Sequence, residues 1–84
     1  MSTVLRIDGL RFVIWPNDHS PAHVHVFSAD GEAKIELATA DGFPRLAENR
    51  RMKPAELAKA LAAVFANQQK LTAEWKVLHG KLDR

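Results

Sequence analysis

Along the first half of the chain, short runs of alternating apolar and polar residues are punctuated by two Asp-Gly pairs, Asp8-Gly9 and Asp30-Gly31. Alternation with a period of two marks a strand with one buried face. An Asp-Gly pair between two such runs is the strongest local signal for a two-residue hairpin turn. The pattern predicts four strands, at residues 3–7, 10–15, 22–28 and 32–38. Facing residues in an antiparallel pair project to the same side, so the pairing can be counted outward from each turn. The first hairpin then sets Ile7 opposite Leu10, Leu5 opposite Phe12 and Thr3 opposite Ile14, with Arg6 facing Arg11 and Val4 facing Val13. The second sets Val26 opposite Ile35 and Val24 opposite Leu37, with His25 facing Glu36 and Phe27 facing Lys34. Apolar residues meet in both hairpins, whereas a slip of one residue would set Val24 and Val26 against charged partners.

The second half has a different period. Residues 39–52 contain Asp41-Gly42-Phe43-Pro44 and then a basic stretch, and read as a loop with at most a short extended piece at Arg45 to Ala47. A helix is predicted from Pro54, a residue favoured in the first turn, through an alanine-rich run of high helix propensity. Leu57, Leu61, Val64, Gln68, Leu71, Trp75, Leu78 and Leu82 recur at spacings of four and three, which makes one helical stripe. Gly80 is a stop signal. A continuous helix over residues 54–79 would be about 39 Å long at 1.5 Å per residue, more than a small four-stranded sheet can cover. The helix is therefore expected to bend or break near Asn67, or to project so that Leu71, Trp75 and Leu78 meet another chain in a homo-oligomer. The predicted fold is α+β: an antiparallel four-stranded sheet of two hairpins, one face covered by a long or bent C-terminal helix. It forms a single domain over residues 1–84, with the sheet at 1–38, a basic loop at 39–52 and the helical segment at 53–82.

Composition narrows the classes. At 84 residues, 46% hydrophobic and 26% charged, the chain reads as an ordinary globular domain with one modest core. Cysteine is absent, which removes disulfides, thiolate metal sites and cysteine nucleophiles. No stretch has the length of a membrane span or the regions of a signal peptide, so no membrane partner and a cytoplasmic location are expected. The formal charge of +2 is too small to announce a nucleic-acid binder, but Arg45, Arg50, Arg51 and Lys53 crowd a segment opposed only by Glu48.

Chemistry concentrates in Asn17-Asp18-His19-Ser20-Pro21-Ala22-His23-Val24-His25-Val26, which holds three of the four histidines. Three readings compete for them. His23 or His25 can act as general acid or base, with Glu36 or Asp18 holding the imidazole and an arginine stabilising charge on a phosphate, as metal-independent RNA cleavage would need. His19, His23 and His25, or Asp18 in place of His19, can instead form a three-ligand metal site. Finally, Asp18 or Asn17 can cap the turn while the imidazoles satisfy backbone groups. His79, near the helix end, is expected to meet the terminal carbonyls. With the helix on the apolar sheet face, the other face should carry Arg6, Arg11, Val13, Trp15, His23, His25, Phe27, Lys34 and Glu36. Arg6 and Arg11 facing each other suit either a phosphate clamp or pairing with carboxylates such as Glu32 or Glu36. Trp15 and Phe27 suit unstacked bases, and Arg50 and Arg51 would extend the footprint.

The whole chain resembles the small bacterial proteins of domain-of-unknown-function family 4160. The likeness rests on Arg6-Ile7-Asp8-Gly9 with Arg11-Phe12, on Asn17-Asp18-His19 with Pro21, His23, His25 and Val26, on Gly31-Glu32-Ala33-Lys34, and on the Pro54 helix ending in Glu74-Trp75. Ala22, where members often carry a second proline, and a shortened loop after Leu37 depart from it. The resemblance implies a toxin-like member of a two-gene toxin–antitoxin module, with a cognate antitoxin from the neighbouring gene. It places Asp18, His19, His23 and His25 in the functional site; taken with the open sheet face, the expected target is RNA or the ribosome, with no cofactor beyond an optional metal. The alternative is a noncatalytic metal- or protein-binding module with a structural histidine cluster.

Overall fold

Asp8 and Gly9 both adopt positive φ, 51° and 79°, the backbone of a type I′ turn whose twist matches that of its flanking strands. This turn joins β1 (Ser2–Ile7) to β2 (Leu10–Ile14) in the computed structural model, which describes residues 2–19, 21–37 and 41–79. Ile7 faces Leu10, Arg6 faces Arg11 and Leu5 faces Phe12, as counted from the sequence. Beyond Leu5 a β-bulge shifts the register, so Thr3 faces Val13 and Ser2 faces Ile14. The extra residue is Val4, and the kink lets Val4, Leu5 and Ile7 all pack against the core.

The second hairpin, β3 (His23–Phe27) with β4 (Glu32–Glu36), corrects the predicted pairing by two residues: Val24 faces Ile35, Val26 faces Ala33, His25 faces Lys34 and His23 faces Glu36. Asp30-Gly31 is not a two-residue turn. Residues 28–31 form a loop in which the Ser28 N–H donates to the Gly31 carbonyl at 2.9 Å, and Ser28 Oγ accepts the N–H groups of Asp30 and Gly31 at 3.2 and 3.0 Å. Gly31 serves close approach. A Cβ there would lie 2.2 Å from the Arg50 carbonyl oxygen and 2.7 Å from the Met52 nitrogen, so the crossing chain excludes any side chain. A shift of two keeps every residue on its face, which is why the alternation could not reveal it.

The sheet has five strands in the order β1-β2-β3-β4-β5, all neighbours antiparallel. The fifth, β5 (Arg45–Arg50), occupies much of the segment read as a basic loop. All six of its residues are exposed, so no hydrophobic alternation marks it, and its charges suit an edge that must not pair further. Asn49 ends the strand: its Oδ1 accepts the Met52 N–H at 3.0 Å, while Arg51 turns the chain at φ 69°.

The helical segment is two helices, α1 (Pro54–Ala66) and α2 (Gln68–His79), broken at Asn67, one of the two outcomes the length argument allowed. Pro54 fills the first turn, and Glu56 Oε1 accepts the Lys53 N–H at 3.0 Å. The Asn67 side chain donates to the Ala63 carbonyl at 2.8 Å, closing α1, and the Asn67 carbonyl accepts the Leu71 N–H at 2.9 Å, starting α2. Phe12, Ile14, Val24, Val26, Ile35 and Leu37 form the sheet side of the core, and Ala60, Val64, Leu71 and Trp75 the helix side. Leu71 and Trp75 are thus 0% and 4% exposed within this chain, so of the two alternatives the helix breaks and packs on its own sheet rather than projecting these residues onto another chain. The predicted strand end at Ala38, the stop at Gly80 and the stripe position Leu82 lie outside the described residues. No described helix is long and apolar enough to cross a membrane.

Candidate metal centre

The segment after β2 turns back at once, the Asp18 N–H donating to the Trp15 carbonyl at 3.2 Å, and this brings the Asp18 carboxylate over the start of β3. His23 and His25, two apart on that strand, project to one side. Both present Nε2 to the same oxygen: Asp18 Oδ2 lies 3.1 Å from His23 Nε2 and 3.2 Å from His25 Nε2. The ligand atoms of Asp18, His23 and His25 all lie within 4.8 Å of one another.

The surroundings of the far nitrogen of each ring bear on what this cluster can hold. His23 Nδ1 lies 2.8 Å from the Pro21 carbonyl oxygen. A carbonyl only accepts, so Nδ1 carries the proton, and in the neutral ring Nε2 is a lone pair aimed at a carboxylate. Two lone pairs at that distance repel unless a proton or a cation lies between them. His25 Nδ1 is buried without a hydrogen-bond partner among the described residues, and its nearest carboxylate oxygen is Glu32 Oε2 at 3.7 Å. His25 Nε2 lies within hydrogen-bond distance of Asp18 Oδ2, so a neutral His25 with its proton on Nε2 donates to that carboxylate, whereas the tautomer with the proton on Nδ1 leaves Nε2 free for an ion. His23 thus backs onto an oxygen acceptor, the arrangement that orients metal-bound histidines.

Aromatic rings wall the cluster. Trp15 stands edge-on to His25 with centroids 6.2 Å apart, and Trp75 of α2 tilts over His23 at 5.1 Å. His23 is consequently only 3% exposed, which corrects the expectation of a fully open face: the helical layer closes the histidine end. Trp75 also stacks on His79 at 3.8 Å, and His79 Nδ1–H donates to the Trp75 carbonyl at 3.0 Å, the helix-end role foreseen for it.

Of the other predicted site residues, His19 is exposed and does not join the described ligand cluster. Glu36 is engaged elsewhere, accepting from Arg45 Nη2 at 2.6 Å, because the two-residue register shift moves it opposite His23 and beside β5. Glu32 takes the place expected for Glu36 next to His25. Its role was hidden by the register, and so was the closure by Trp75, which depends on the turn at Asn67. Arg6 and Arg11 face each other as expected, and Arg11 lies over the Phe27 ring at 5.0 Å. Arg50 pairs in register with Glu32 on that face, while Arg51 falls past the strand end.

Residues 9–76 match the family model described as Domain of unknown function (DUF4160). The chain belongs to this family. The match takes in Asp18, His23, His25, Glu32 and Trp75, the centre and its surroundings together. No curated protein and no solved structure matches the chain.

Proposed function

We propose that this DUF4160 chain is a divalent-metal protein whose ion is held by Asp18 Oδ2, His23 Nε2 and His25 Nε2. The observation that carries the reading is the convergence of three ligand atoms within 4.8 Å while the opposite nitrogens of both rings face Pro21 and Glu32 oxygens. An ion about 2.1 Å from each ligand in tetrahedral geometry sets them about 3.4 Å apart, so the widest pair of the set needs to close by up to about 1.4 Å. Two imidazoles and one carboxylate suit zinc, iron(II) or another first-row ion with positions left for water or substrate. Such an ion supplies a Lewis acid and an activated water for hydrolysis at neutral pH.

Metal-free acid–base catalysis has less support, because His23 is buried and its Nδ1 is committed to Pro21. The cellular role proposed for the centre is that of the toxin-like partner in a two-gene module acting on RNA or translation, supported by the signature residues around it and the cationic surface beside it. Protein purified without a histidine tag should carry or take up about one equivalent of zinc or cobalt, read by elemental analysis and calorimetry. Asp18→Asn and His25→Ala should lose that metal with the fold intact by circular dichroism. Absence of tight metal binding, or its persistence in both variants, overturns the assignment. Expressed alone, the chain should arrest growth and His25→Ala should relieve the arrest; full arrest by that folded variant counts against the toxin-like role.

A further inference from the structure

The strand registers align Arg6, Arg11, Phe27, Glu32 and Arg50 in a single row across all five strands, on the face that also carries His25 and Lys34. Four inter-strand spacings make this row about 19 Å long. Among the described residues none of the three arginines forms an ion pair. The one carboxylate of the row, Glu32, lies toward His25 Nδ1. Arg6 and Arg50 are exposed, and Arg11 is half-buried on Phe27. Side chains of like charge directly opposite each other, as Arg6 and Arg11 are, repel unless an anion sits between them. A guanidinium fork matches phosphate oxygens two at a time.

We infer that this row binds the phosphodiester backbone of a single-stranded nucleic acid and delivers it to the metal centre. Three cations spread over the sheet's width exceed what one small anion occupies and suit successive phosphates. The His25 side chain is 16% exposed and flanked by Trp15; a flexible strand bends into such a recess and a duplex does not. Recognition is by backbone charge, since Arg11 covers the Phe27 ring and leaves it unavailable to stack a base. Binding of the strand rests on the arginine row alone; only its delivery to an ion rests on the metal reading.

The probe is a labelled single-stranded oligoribonucleotide of about a dozen nucleotides, titrated by fluorescence anisotropy at several salt concentrations. Arg6→Ala with Arg11→Ala should weaken binding and lower the salt slope by about 1.4, at about 0.7 per lost phosphate contact on a single strand. Arg6→Lys with Arg11→Lys should retain most of the slope. Metal content should be unchanged in both, so failure of the metal site is distinguishable from failure of this row. The inference is overturned if the parent does not bind the strand at low salt or if the double alanine variant keeps affinity and slope while folded. It is also overturned if inorganic phosphate at millimolar concentration displaces the strand, or if the parent prefers anionic vesicles to it.

Discussion

The two ends of one sheet face differ in almost every physical respect. At the His23 end the groups are buried or half-buried and walled by Trp15 and Trp75, with the Pro21 carbonyl hydrogen-bonded behind His23 and Glu32 3.7 Å from His25 Nδ1. At the Arg6 end they are exposed or half-buried, of one sign and without ion-pair partners among the described residues. The first end has been organised before any ligand arrives, which lowers the entropy cost of binding and raises selectivity. The second stays solvated and adaptable, which suits charge attraction and fast encounter. A chain of 84 residues thus presents one enclosed and one open cluster of polar side chains on a single surface.

The largest test of this contrast is Trp75→Ala. Removing a ring that is 4% exposed and belongs to the core should cost about 3–5 kcal/mol in chemical denaturation. It should also uncover His23 and weaken metal binding, while oligonucleotide affinity stays constant in whatever fraction remains folded. A fall in both affinities by the same factor would erase the distinction between the ends. Next in size is Glu32→Gln, which keeps the shape but removes the charge facing His25 Nδ1. Metal affinity should drop by about 10–100-fold, the range for changes behind a histidine ligand, with little change in stability; an unchanged affinity would remove Glu32 from the centre. A related measurement is the pH profile. Metal affinity should fall as pH is lowered, because protons compete for the ring nitrogens the metal requires. Oligonucleotide binding through arginines, which stay charged, should vary much less over the same range. The smallest expected effect is on stability in Arg6→Ala with Arg11→Ala: relief of like-charge repulsion at an exposed position should leave the folding free energy unchanged or raised by less than about 1 kcal/mol. Clear destabilisation would mean that the guanidinium stems are packing elements.

Much of this division is visible in the residues themselves. Period-two alternation put His23, His25, Arg11 and Phe27 on one face, and Asp8-Gly9 announced a turn that sets Arg6 opposite Arg11. Asp18, His23 and His25 stood out as candidate ligands by type and spacing. His19, equally plausible on that basis, stays outside because position in a loop carries no period from which direction can be read. Glu36 and Glu32 exchanged parts for another reason: alternation defines the face of a residue but leaves pairing open to any even shift.

Residue order alone shows which residues share a face, where the first turn lies and that Pro54 opens the helical segment, and it marks Asn67 as one place for that segment to break. These are local matters, governed by backbone conformation, capping and side-chain period over a few residues. Tertiary structure decided that Glu32 sits behind His25, that an all-exposed fifth strand adds Arg50 to the row, and that Trp75 closes over His23. Each of those depends on contacts between segments far apart in the chain, such as the passage of residues 50–52 against Gly31. Only the packed molecule brings these segments within a few ångströms, and there steric exclusion and hydrogen bonding select one register among several that the alternation allows equally.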